Sequence, residues 1–133
     1  MNILVCDDDQ AIVDAIEIYL SQEGYTVLKA YDGLEAVRMV KEKEIQLVIL
    51  DIMMPRMDGI RATMKIREIS AVPIIFLSAK SEDVDKILGL NVGADDYIGK
   101  PFNPLELIAR VKSQLRRYTE LGNLPNDNSD EHI

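Results

Sequence analysis

The sequence predicts a doubly wound α/β domain, (βα)₅, in which five parallel strands alternate with five helices. Short apolar runs alternate along the chain with stretches of helical spacing, and this alternation indicates a parallel sheet with helices on both faces. Three of the runs are apolar throughout, as expected of central strands, whereas the run at 25–29 contains Thr26 and Lys29 and suits an edge. A strand order of 2-1-3-4-5 satisfies these observations. It places the ligand crevice beyond the C-terminal ends of the first and third strands.

Local signals justify each element in turn. The strands are expected at 3–6, 25–29, 47–50, 74–77 and 97–98, and the helices at 11–20, 34–43, 60–68, 82–92 and 104–118. Glycine commonly follows a helix, and Gly24 and Gly93 follow the first and fourth helical stretches. Pro104 suits the first position of the last helix, and Asp9 and Ser81 are candidate N-caps of the first and fourth.

Apolar residues at helical spacing predict the face that each helix buries. The predicted faces are Ile12, Ile16, Tyr19 and Leu20 in the first helix, Leu34, Val37 and Val40 in the second, and Leu105, Ile108, Val111 and Leu115 in the last. Cys6 ends an apolar run and is expected to be a small buried residue.

Composition excludes several classes of protein. The chain has one cysteine, so no internal disulfide forms, and its one histidine, His132, lies in a polar stretch, which argues against His-based triads and His/Cys zinc sites. No apolar run approaches the roughly 20 residues that span a bilayer, and the N-terminus lacks the pattern of a signal peptide. We therefore expect a cytoplasmic protein without a membrane partner. A net charge of −8 makes the domain a poor DNA binder by itself.

The domain organisation follows from the length of 133 residues and a change near the C-terminus. Residues 1–120 suit one folded domain, because domains commonly have about 100–150 residues. From Asn123 the sequence is polar, acidic and unpatterned, so residues 121–133 are expected to be a linker or disordered tail.

Polar side chains follow the ends of the predicted strands. Asp7, Asp8 and Asp9 follow the first strand, and Asp51 follows the third. Neighbouring carboxylates repel one another, and a bound cation removes the repulsion. An open site of oxygen ligands and several waters suits Mg²⁺ better than an all-protein Ca²⁺ cage.

A hydroxyl and an ammonium group are expected at the same edge of the sheet. Ser78 follows the fourth strand and Lys100 follows the fifth. A divalent cation, a lysine and a hydroxyl together suit a phosphoryl group, because they neutralise and bind its oxygens. One aspartate can then be the nucleophile.

These segments together resemble the receiver domain of a bacterial two-component response regulator of the OmpR/PhoB subfamily, over about residues 2–119. The spacings agree as well, with 27 residues from Asp51 to Ser78 and 22 from Ser78 to Lys100. The last helix resembles that of a vancomycin-resistance-type regulator, and the implied fold is the flavodoxin-like receiver fold. The matching segments are 3–9, 47–55, Asp58-Gly59, 73–79, 93–97, Lys100-Pro101-Phe102, and 104–107 into Arg110.

The resemblance implies a role for each residue of the site. A sensor histidine kinase would donate a phosphoryl group to Asp51, with Mg²⁺ as the cofactor. The implied catalytic residues are Asp51, Ser78 and Lys100, and the implied metal ligands are Asp7, Asp8, Asp51 and the Met53 carbonyl. Ser78 and Tyr97 would form the switch. The Lys100-Pro101 bond would be a cis peptide. The protein would be a signalling protein that catalyses its own phosphorylation and dephosphorylation, rather than an enzyme with separate substrates.

The resemblance also implies a homodimer after phosphorylation, through the fourth helix, fifth strand and last helix. Lys86 would face Glu106, and Asp96 would face Arg110, across a two-fold axis. The expected interface residues are Lys86, Ile87, Leu90, Asp95, Asp96, Glu106, Ile108 and Arg110. Members of the subfamily normally carry a C-terminal DNA-binding domain, so DNA binding and transcription control are expected only through a domain missing from this chain.

Three other functions are compatible with parts of this pattern. A small-molecule phosphatase with an aspartate nucleophile usually has a second acid two residues later, where this chain has Met53. A flavin-binding protein of the same topology would need a phosphate loop after the first strand, where the run Asp7–Asp9 would repel a phosphate that lacks a metal. A stand-alone receiver that acts as a phosphoshuttle or partner-binding module remains open.

Overall fold

The fold is a five-stranded parallel sheet with helices on both faces, as the sequence predicts. The computed structural model describes residues 1–78 and 91–119, and its strand order is β2-β1-β3-β4-β5. The strands are β1 (Asn2–Cys6), β2 (Thr26–Ala30), β3 (Leu47–Asp51), β4 (Ile74–Ser78) and β5 (Asp96–Gly99). The helices are α1 (Gln10–Gln22), α2 (Gly33–Glu42), α3 (Gly59–Arg67) and a C-terminal helix (Pro104–Arg117). Most of the predicted fourth helix, with its cap Ser81, and the segment 121–133 lie outside the described residues.

Side-chain caps begin the described helices immediately after loops at one edge of the sheet. Asp9, Asp32, Asp58 and Asn103 each accept a hydrogen bond from a backbone N–H in the first helical turn. Such a cap stabilises a helix by about 1 kcal/mol, because the first N–H groups otherwise lack partners. Asp9 and Pro104 therefore have the predicted positions, and the caps fix the loops that carry the polar residues.

Two apolar layers hold the sheet between the helices. One layer contains residues of α2 and α3, and the other contains residues of α1 and the C-terminal helix. Strands β3 and β4 are buried at every position, and Cys6 is also buried. No helix in the described ranges is both long and apolar enough to cross a bilayer. The buried strands give the polar residues at their ends a rigid base.

Two predicted apolar faces are partly wrong. Leu34 is 50% exposed and Leu105 is 78% exposed, although the apolar spacing predicts a buried face for each. In α2 the buried residues are Gly33, Ala36 and Met39, because the N-terminus of the helix packs closely against the Met57 carbonyl. In the C-terminal helix Leu107 is buried, and Leu105 lies about 200° around the helix from it.

A buried hydroxyl in α3 provides a test of packing. Thr63 is fully buried, and its Oγ1 has no hydrogen-bond partner among the residues that the structure describes. Because a buried polar atom without a partner costs free energy, we expect Thr63→Val to raise the free energy of unfolding by about 1 kcal/mol. Urea denaturation measures the change. Thr63→Ser is the control, since it keeps the hydroxyl and loses a methyl group. A Val variant no more stable than the wild type would contradict this description of the core.

Candidate functional site

The parallel register brings the ends of four strands to one edge of the sheet. The neighbouring pairs at this edge are Cys6 with Leu50, Asp51 with Leu77, and Ser78 with Gly99. Asp7 and Lys100 directly follow two of these paired residues. Four predicted residues therefore lie close together where adjacent strands end: Asp7, Asp51, Ser78 and Lys100.

Three carboxylates form a compact cluster at this edge. One oxygen each of Asp7, Asp8 and Asp51 lie within 4.8 Å of one another. Asp7 is fully buried and Asp51 is 4% exposed, whereas Asp8 is open to solvent. The backbone N–H of Asp9 donates to Oδ1 of Asp7 at 2.9 Å, which fixes that carboxylate. The cluster is thus held from the protein side and open on one side.

Lys100 closes the cluster from the β5 side. Its Nζ lies 2.8 Å from Oδ2 of Asp7 and 3.5 Å from Oδ1 of Asp51, and the side chain is 16% exposed. Its backbone N–H donates to the carbonyl of Ser78 at 2.6 Å. The Lys100-Pro101 bond is cis, as the resemblance implies. The ammonium therefore neutralises part of the buried negative charge.

The electrostatics of Asp51 show that this charge is incompletely balanced. Burial raises the pKa of Asp51, the Asp7 carboxylate raises it further, and Lys100 offsets only part of the rise, so that the pKa is about 6. Partial burial alone would lower the pKa of Lys100, but its contacts with Asp7 and Asp51 outweigh this effect and raise it. The site therefore favours an added positive charge near Asp51.

The donor set fits a hard divalent cation. All three side chains offer carboxylate oxygens, and Asp8 leaves room for waters, which Mg²⁺ commonly retains. Met53 is 74% exposed, and its backbone carbonyl offers an oxygen, whereas its thioether is a soft ligand that Mg²⁺ does not favour. That carbonyl remains a predicted ligand, whereas the structure brings the three predicted carboxylates together.

Ser78 and Tyr97 occupy neighbouring strands near the cluster. Ser78 ends β4 and is 2% exposed, and Tyr97 in β5 pairs with Phe76 of β4. Tyr97 is half-buried and packs against the apolar layer that includes α2 and α3. Their placement suits the switch role that the resemblance implies, which remains a prediction.

The predicted dimer residues are engaged within one chain where the structure describes them. Arg110 donates to Asp96 at 2.7 Å and to Glu106 at 3.1 Å. Asp95 accepts from Arg67 and from the backbone N–H of Ile74, both at 2.9 Å. Ile108 packs partly buried against the layer that includes α1. Lys86, Ile87 and Leu90 lie outside the described residues.

The loop between β3 and α3 contains contacts that sequence reasoning missed. Arg56 pairs with the nearly buried Asp32 at the start of α2. Asp32 is the N-cap of α2, and the sequence carries a signal for this role, since Glu35 follows three residues later. Nothing in the sequence identified Arg56 as its partner.

Comparisons with known proteins agree with this geometry. Residues 3–112 match the family described as "Response regulator receiver domain". The chain is 51% identical over 129 residues to "Regulatory protein VanR" of Enterococcus faecium, covering 97% of this chain and 56% of that protein. It is 48% identical to "Regulatory protein VanRc" of Enterococcus gallinarum, covering 88% of this chain and 51% of that protein. The chain thus spans about half the length of these curated relatives.

Solved structures give the same result. The receiver domain of the Francisella response regulator 1452 superposes with a TM-score of 0.83 at 37% identity, covering 87% of this chain and 97% of that one. The receiver domain of the sensor histidine kinase PA1611 from Pseudomonas aeruginosa, solved with magnesium coordinated in its active site cleft, gives 0.81 at 32% identity, covering 86% and 97%. The relatives are VanR-type regulators, as the last helix suggested, while the OmpR/PhoB subfamily stays a prediction. The chain belongs to the family of response regulator receiver domains.

Proposed function

We propose that this receiver domain accepts a phosphoryl group on Asp51 from a phosphohistidine of a sensor histidine kinase, in a reaction that requires Mg²⁺. The observation that carries the proposal is the placement of Asp51 in one cluster with Asp7 and Asp8, with the Lys100 ammonium 3.5 Å from its Oδ1. The donor set that would hold the cation is Asp7, Asp8, Asp51 and the Met53 carbonyl.

The proposed transfer forms one bond and breaks one. A carboxylate oxygen of Asp51 forms the new O–P bond as the N–P bond of phosphohistidine breaks. The imidazole nitrogen keeps the bonding electron pair and takes a proton from water. Lys100 would pair with the transferred oxygens, and Ser78 would donate a hydrogen bond to one of them. Bound Mg²⁺ would neutralise charge on the phosphoryl oxygens.

Intact mass spectrometry tests this proposal directly. The chain is incubated with acetyl phosphate or phosphoramidate, with Mg²⁺ or with EDTA, alongside Asp51→Asn. We expect one phosphoryl adduct on the wild type with Mg²⁺ and none on the variant or with EDTA. An adduct on Asp51→Asn, or no adduct on the wild type from either donor, would overturn the proposal.

Dimerisation is the proposed output of phosphorylation. The predicted face includes β5 and the C-terminal helix, where Arg110 already contacts Asp96 and Glu106 within one chain. The same charged groups could pair across a two-fold axis, and charge pairs of this kind govern specificity and orientation. The fourth predicted helix would complete this face.

Reversing one charge tests the dimer. We expect Arg110→Glu to weaken the dimer of the beryllofluoride-activated protein, because it places a carboxylate beside Asp96 and Glu106. Sedimentation velocity measures the dimer fraction. Arg116→Glu, an exposed position on the same helix, is the matched control. Equal dimer fractions for the wild type and Arg110→Glu would exclude this interface.

Transcription control is proposed for the longer protein rather than for these residues. The matched segments cover 56% and 51% of the two curated relatives, and both are described as regulatory proteins. A DNA-binding domain after residues 121–133 would supply the contacts with DNA that an acidic receiver lacks. A cytoplasmic location, where the kinase and the DNA are both accessible, is part of the same proposal.

A further inference from the structure

The loop between β3 and α3 is attached to the N-terminus of α2. The backbone N–H of Gly33 donates to the carbonyl of Met57 at 3.1 Å. A Cβ at Gly33 would lie only 2.2 Å from that carbonyl oxygen, so the contact requires glycine. The loop that carries Met53, the predicted carbonyl ligand, therefore rests directly on α2.

The base of the same loop is equally close-packed. The N–H of Gly59 donates to the carbonyl of Ile52 at 2.8 Å. A Cβ at Gly59 would lie 2.2 Å from the carbonyl oxygen of Asp51. A shift of the loop would therefore be transmitted to the backbone of the phosphoacceptor.

Arg56 forms the second attachment to α2 and has a strained backbone. Its φ is 68°, a conformation that L-residues with side chains rarely adopt. Its side chain is 69% exposed, yet the guanidinium contacts Oδ2 of Asp32 through Nη2 and, at 3.0 Å, through Nε. Strain of this kind persists where surrounding contacts hold it, and it is concentrated at functional sites.

Asp32 is a fixed partner for this arginine. It is 5% exposed, and its Oδ1 accepts from the N–H of Glu35 at 2.8 Å. The other oxygen, Oδ2, is the one that binds Arg56. The carboxylate is thus anchored in the protein, and the arginine is the exposed member of the pair.

We propose that Arg56 and Asp32 form a clamp that positions the β3–α3 loop for Mg²⁺ binding, so that both are positioning residues for phosphoryl transfer. This inference rests on the proposed function, because it concerns the same cation. Neither side chain would touch the cation. The clamp would hold the Met53 carbonyl at the side of the acidic cluster formed by Asp7, Asp8 and Asp51.

Simple electrostatics predicts that the loss of Arg56 changes the Mg²⁺ affinity in the opposite direction, which makes the proposal testable. Removing the positive charge of Arg56 would strengthen the binding of a cation if charge alone mattered. The clamp predicts weaker binding, because the loop loses its attachment. Partners that orient metal ligands typically contribute about 10–100-fold in affinity.

The test is the Kd of Mg²⁺ for the unphosphorylated chain, measured by calorimetry, with urea denaturation in parallel. We expect Arg56→Ala to weaken binding about tenfold in a chain that still unfolds in one cooperative transition. Arg56→Gly, which suits the positive φ, should weaken it equally although the backbone is relaxed. Arg56→Lys should restore part of the affinity. Arg38→Ala removes an arginine whose partners among the described residues, Glu35 and Glu42, lie on its own helix, and it should leave Kd unchanged or slightly lower.

A double-mutant cycle completes the test. Arg56→Ala combined with Asp32→Asn should bind Mg²⁺ no more weakly than the weaker single variant, because the two act as one unit. A Kd for Arg56→Ala and Arg56→Gly equal to or tighter than that of the wild type would overturn the clamp. If the wild type still forms its Mg²⁺-dependent adduct in that case, the proposed function survives the loss of the clamp.

Discussion

Replacing Lys100 with methionine is expected to slow phosphoryl uptake by about 10²–10³-fold at saturating Mg²⁺, the effect of removing one preorganised donor from a transition state. The ammonium lies 3.5 Å from the Asp51 oxygen and in a largely buried position, where little water can replace it. Methionine keeps a similar length and loses the charge. A time course of adduct formation by intact mass, with acetyl phosphate as the donor, gives the rate.

Two controls separate catalysis from folding and from loss of charge. Lys41→Met removes an exposed lysine from α2 and should leave the rate unchanged. The variant leaves Asp7 buried without its 2.8 Å cation contact, so its folding must be checked. Far-UV circular dichroism should show that Lys100→Met remains folded. A folded Lys100→Met variant that takes up phosphate at the wild-type rate would exclude the lysine from the reaction.

Asp51→Asn is expected to raise the free energy of unfolding by ~1–3 kcal/mol at about pH 7 without Mg²⁺. The pKa of Asp51 is about 6 in the folded chain, above the value of about 4 for an unfolded aspartate. A carboxyl with a raised folded pKa stabilises the protein while it is protonated. Its contribution is lost as the pH rises from about 4 through about 6. Asparagine cannot ionise and avoids that loss.

Urea denaturation of both proteins at about pH 4 and about pH 7 checks this result through the linkage relation. The difference in stability between variant and wild type should grow as the pH rises. Added Mg²⁺ should stabilise the wild type more than the variant, because only ligands of the folded state shift the equilibrium. Glu44→Gln, at an exposed carboxylate, should show neither effect. An Asn variant no more stable than the wild type at about pH 7 would contradict the described electrostatics.

Much of the site could be predicted because it depends on strand ends. Apolar runs locate β1, β3 and β4, and parallel strands end at a common edge, so the adjacency of Asp7, Asp51 and Ser78 follows from topology. The predicted strand limits differ from the structure by only a residue or so, which leaves this adjacency unchanged. Asp9 could be predicted as a cap from local sequence, since it precedes a clear helical pattern.

Features that depend on contacts between residues distant in the sequence could not be predicted. Leu34 and Leu105 fit an apolar periodicity, but the rotation of each helix about its axis is set by close contacts such as that of Gly33 with Met57. The Arg56–Asp32 pair joins residues 24 apart through a backbone conformation that arginine rarely adopts. The unpartnered hydroxyl of Thr63 likewise depends on its neighbours in space.

The most direct test of the central claim is to locate the phosphoryl group chemically. The phosphorylated chain is reduced with borohydride, which converts an aspartyl phosphate to homoserine, and is then digested and sequenced by tandem mass spectrometry. We expect homoserine at position 51 alone, formed only after incubation with both Mg²⁺ and the phosphodonor. Homoserine at Asp7 or Asp8, or an adduct that leaves Asp51 unmodified, would contradict the assignment of Asp51 as the phosphoacceptor.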